Sequence, residues 1–122
     1  MKKLLLIGLL LTLPACTKAP PNLTPQVQAQ FYATQGIKDL DVIRDFAVGA
    51  SQTTPPLITK ATLLQVVNWH EDLVKAIHVA PNGWKTTASA GLDALSSRLS
   101  SADAARFKPY IDAARLLFQE LP

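Results

Sequence analysis

Two histidines, one cysteine and nine carboxylates are the reactive side chains of this 122-residue chain. His70 is the sharpest of them, because it falls in the middle of an apolar helical stripe. A buried imidazole there could act as a base, a ligand or a pH-sensitive switch. His78 follows eight residues later, about 12 Å further along a helix axis, too far for the two to share a metal ion. His70-Glu71 begins like a zincin helix, but position 74 is Val where the second histidine belongs. A lone Cys16 offers neither a disulfide nor a thiolate pair. No metal and no cofactor are therefore expected. Glu71 and Asp72 are adjacent, so on a helix they diverge by about 100° instead of converging as an acid–base pair. The serines lie outside any G-x-S-x-G elbow, and no glycine-rich loop cradles phosphate. The pattern predicts a protein that is not an enzyme, with His70 as a buried polar residue.

The elements that must position these residues read as helices. Thr24 and Pro25 make a helix start, with a capping hydroxyl followed by proline in the first turn. Ala29, Ala33, Gly36, Leu40, Ile43, Ala47 and Ala50 then recur at spacings of four and three, a seam rich in small residues. Phe31, Tyr32, Val42 and Phe46 flank it. Asp39, Asp41 and Asp45 share a polar surface with Lys38 and Arg44 in this reading. Ser51–Leu57, with Pro55 and Pro56, breaks the chain. A second helix starts at Thr59 or Thr62 and carries Leu63, Val66, His70, Leu73 and Ile77 on one face. Trp69 lies at that face's edge, one step from the polar side. Pro81-Asn82-Gly83 ends it.

A third helix has Trp84, Ala88, Gly91 or Leu92, Leu95 and Leu99 as its stripe. Ser100 with Asp103 caps a fourth. Its stripe of Ala104, Phe107, Ile111, Ala114, Leu117 or Phe118 and Leu121 runs through Pro109 without changing phase. That continuity predicts one helix kinked at the proline, or two stacked pieces. No stretch alternates as a strand does. The fold class is all-α, a small bundle of about four amphipathic helices spanning 24–122.

Met1–Cys16 (MKKLLLIGLLLTLPAC) has the layout of a signal peptide: Lys2 and Lys3, an apolar run from Leu4 to Leu13, then Ala15 before Cys16. The run is about 15 Å long as a helix, half of a bilayer core. An ordinary signal peptidase cutting after Ala15 would meet Leu13 at −3, where a small residue is preferred. Leu13-Pro14-Ala15-Cys16 resembles the lipobox of bacterial lipoproteins. Leu13, Ala15 and Cys16 match it, and Pro14 departs from it at the second position. The resemblance covers the leader alone and implies that Cys16 is diacylated and becomes the new N-terminus. Thr17, not Asp, follows, which implies an outer-membrane destination facing the periplasm. Residues 16–23 then form the lipid-attachment cysteine and a Pro-rich tether.

Charge adds little. The chain has 12 Lys and Arg against 9 Asp and Glu, and losing Lys2 and Lys3 with the leader nearly balances it. No basic patch calls for nucleic acid. The expected role is a lipid-anchored envelope protein acting as a binding or structural module, with an envelope protein or its own copy as partner. Phe31, Val42 and Trp69 are the candidate partner-facing residues. A carrier of a small hydrophobic ligand, anchored or secreted into the periplasm, is the alternative. A lysis or exclusion lipoprotein of phage type is a further one.

Overall fold

The computed structural model describes residues 22–122. The expected signal peptide, Cys16 and most of the expected tether lie outside the described residues. Among the described residues, four helices pack together and there are no strands: α1 (Pro25–Ser51), α2 (Lys60–Val79), α3 (Trp84–Arg98) and α4 (Ser101–Glu120). A 3-10 turn at Pro81–Gly83 leads into α3.

Each predicted hydroxyl cap is in place. Thr24 Oγ1 accepts from the Val27 amide at the start of α1. Thr59 Oγ1 accepts from the Thr62 amide at the start of α2, which settles that boundary at the earlier threonine. Ser100 Oγ accepts from the Asp103 amide at the start of α4. Such a cap satisfies one of the amides a helix start leaves open, worth about 1 kcal/mol against alanine. α4 runs unbroken through Pro109. The proline and Ala105, whose carbonyl lacks the amide that Pro109 cannot supply, are both exposed. Water can satisfy that carbonyl, so the helix continues.

The cross-helix contacts give the bundle an up-down-up-down order. Asp41 meets His70 in the middle of α1 and α2, while Ala50 and Leu57 pair at the linker, so these helices are antiparallel. Phe46 near the end of α1 touches Phe107 and Tyr110 early in α4. Trp84 at the start of α3 meets Phe118 near the end of α4. The start of α1, the end of α2, the start of α3 and the end of α4 therefore share one end of the bundle.

The core follows the stripes read from the sequence. Leu40, Ile43, Ala47, Val66, Ile77, Ala88, Leu92, Leu95 and Phe107 are fully buried. Two glycines set how closely the helices approach. A Cβ at Gly36 would overlap the Trp84 ring, and one at Gly91 would lie 2.5 Å from Leu73 Cδ2. The indole that lies against Gly36 is what the small-residue seam of α1 admits. Trp84 then stands edge-on to Phe118 with centroids 5.4 Å apart, a favoured aromatic geometry.

Candidate functional site

The polar groups with most chemistry lie on the two flanks of α1. On the flank facing α2, His70 is 6% exposed, and its Nε2 sits 2.6 Å from Asp41 Oδ1. Arg44 Nη1 approaches the same oxygen at 3.8 Å. The sequence predicts His70 in a stripe and places Asp41 on a solvated surface. The structure corrects the second point: Asp41 is half-buried and is the histidine's partner. A His in an apolar stripe needs a hydrogen-bond partner, and a carboxylate bordering the seam of the neighbouring helix supplies it.

On the flank facing α4, Asp39 is half-buried. Helical geometry puts it on the side of α1 that carries Phe46, which packs between Phe107 and Tyr110. Burial pushes its carboxyl up from 3.8 to about 7, because a desolvated carboxylate is disfavoured relative to the neutral acid. Asp39, too, is thus displaced from the solvated surface the sequence suggests.

Trp69 requires a second correction. It is 7% exposed and in the core, and its indole N–H donates to the Gly91 carbonyl at 2.8 Å. α2 packs against both α1 and α3, so its buried arc is wider than one stripe. His70 turns to α1 and Trp69 to α3. The edge position predicted for Trp69 is therefore interior, and the three candidate partner-facing residues do not form one patch. Val42 is 39% exposed on α1. Phe31 is half-exposed, edge-on to Tyr32. These two are eleven residues apart on the same side of α1, about 16 Å along its axis.

Sequence reasoning also missed a tie between α2 and α4. Thr62 Oγ1 donates to Asp103 Oδ2 at 2.9 Å, and Asp103 takes Arg106 on its other oxygen. Thr62, read as a possible cap, instead bonds across the bundle. An open depression of about 780 Å³ lies beside this tie, with Leu57, Ile58, Lys60, Leu63 and Arg106 in its wall. Two smaller ones, of about 340 and 200 Å³, border α4. His70 lines none of the three.

His70 is 6% exposed and points Nε2 at Asp41 across a helix–helix contact, so the pair ties α1 to α2. Among the described residues, no three His, Cys, Asp or Glu side chains group as a metal site would require. No described helix is long and apolar enough to cross a membrane. No protein-family model, curated protein or solved structure matches this chain.

Proposed function

We propose that this chain is a small lipid-anchored protein of the bacterial envelope, and that its folded part is a non-enzymatic binding or structural module offering a helical face to an envelope partner. The observation that carries this reading is Leu13-Pro14-Ala15-Cys16, a lipobox-like segment directly after a short apolar leader. Two features of the fold support it. Among the described residues the core runs from Ala33 to Leu121. Its most reactive polar groups are engaged in holding helices together, as His70 with Asp41 and Thr62 with Asp103 show.

A carboxyl-terminal bundle on an acylated cysteine is held at the bilayer surface by its lipid chains. One chain gives marginal attachment and two make release slow. The surface of α1 with Val42 is the face such a module would present. Fractionation of a bacterium expressing the protein beside Cys16→Ser tests the reading. The wild type should sediment with outer membrane and the variant should stay in the periplasm. Recovery of both in the soluble fraction would refute the anchor.

A further inference from the structure

The first two turns of α1 lie at the edge of the bundle, with Tyr32 alone among them packed against the core cluster. Residues 22–32 contain no buried residue, and the first buried position is Ala33. No charged residue occurs between Lys18 and Lys38. Leu23, Val27 and Phe31 recur every four residues along this stub, and such spacing places them on neighbouring turns of one side. Val27 is 42% exposed. At the same end of the bundle, where α2 terminates, Val79 is 85% exposed. A carboxylate on the stub would be repelled by anionic headgroups, and this segment has none.

The chain length fixes what can lie beside the stub. Leu23 follows Cys16 by seven positions, and an extended chain of that length spans at most about 25 Å. Resting on the lipid-anchored reading of Cys16, we propose that the stub Pro25–Tyr32 lies against the lipid surface that holds the anchor, with Val27 and Phe31 toward the acyl boundary. The stub is too short and too weakly apolar to bind a bilayer unaided. The anchor makes its contact intramolecular in effect, at a high local concentration of lipid. Interfacial helices bury their apolar side at the headgroup boundary in this manner. The α1–α2 linker lies at the opposite end of α1, about 36 Å from Val27 along its axis.

The test uses the full lipidated chain in phosphatidylethanolamine–phosphatidylglycerol vesicles. Acylation of Cys16 leaves an introduced cysteine as the one free thiol, so Val27→Cys and Leu57→Cys can each carry an environment-sensitive fluorophore. Both sites are exposed, and neither label disturbs the core. The label at 27 should shift to the blue and lose at least half its emission to nitroxide-bearing lipids, while the label at 57 does neither. A label at 27 that stays water-like on an acylated, vesicle-bound protein overturns the inference and leaves the anchor standing. A blue-shifted label that lipid nitroxides do not quench also overturns it, since a second protein copy then covers the stub. A protein that carries no acyl mass and does not bind vesicles removes the anchor reading, and this inference with it.

Discussion

Asp39 and Asp41 stand two residues apart on one helix, and the bundle treats them in opposite ways. Asp41 faces α2 and is matched by His70 at 2.6 Å. Asp39 lies on the flank of α1 that carries Phe46, and its carboxyl is held up near 7 by burial. They point about 160° apart around α1, on either side of the seam of Leu40 and Ile43. What separates them is the neighbour each flank meets, a property of bundle order and not of α1. A carboxylate at a helix boundary becomes a clamp where the facing helix supplies a donor, and is pushed toward the neutral acid where burial acts alone.

The largest disturbance removes the frame on which both flanks hang. Gly36→Val would drive side-chain atoms into the Trp84 ring and should cost about 3 kcal/mol, read as a lower urea midpoint. His70→Ala comes next. It makes the two flanks alike by leaving Asp41 without its partner, and should cost about 2 kcal/mol. If that variant unfolds at the wild-type midpoint, the clamp contributes nothing.

Asp39→Asn sharpens the comparison from the other side. Asp39 has a folded-state value of about 7 against 3.8 for the ordinary carboxyl. Between those values the folded protein binds the extra proton, so this residue makes stability fall as pH rises from about 4 to 7. The Asn variant lacks that slope. It should be more stable than wild type by about 1 kcal/mol at pH 8, with the gain vanishing toward pH 4. An equal gain at both pH values would show that the amide packs better and that ionisation is not the cause. The smallest effect belongs to Lys108→Ala, which breaks the exposed pair with Asp112 and should change stability by less than about 0.5 kcal/mol.

Much of this architecture is legible in the sequence because it is local. Thr24 and Ser100 mark helix starts through hydrogen bonds within one turn, and the proline at position 25 does so through its fixed φ. The stripe through Pro109 keeps its phase because the proline falls on the solvent side. Trp69, Asp39 and Asp41 are not legible in the same way. A single 3.6-residue period describes a helix with one buried side, whereas α1 and α2 each contact more than one neighbour. Residues at ±60° or more from the stripe centre are then interior or exposed according to which helices lie next to them. The tie from Thr62 to Asp103 spans 41 positions, and no local pattern announces it.

The same contrast bears on function. The polar residues that looked reactive lie between helices, and in the reading proposed above it is the leader with its cysteine that directs the protein's role. Intact mass of the protein purified from membranes of an expressing bacterium tests that most directly. The account predicts a chain that begins at Cys16 and carries the added mass of acyl groups, with neither change in Cys16→Ser. A mass equal to the unprocessed chain, or to a chain cut at Cys16 with no acyl addition, would contradict it.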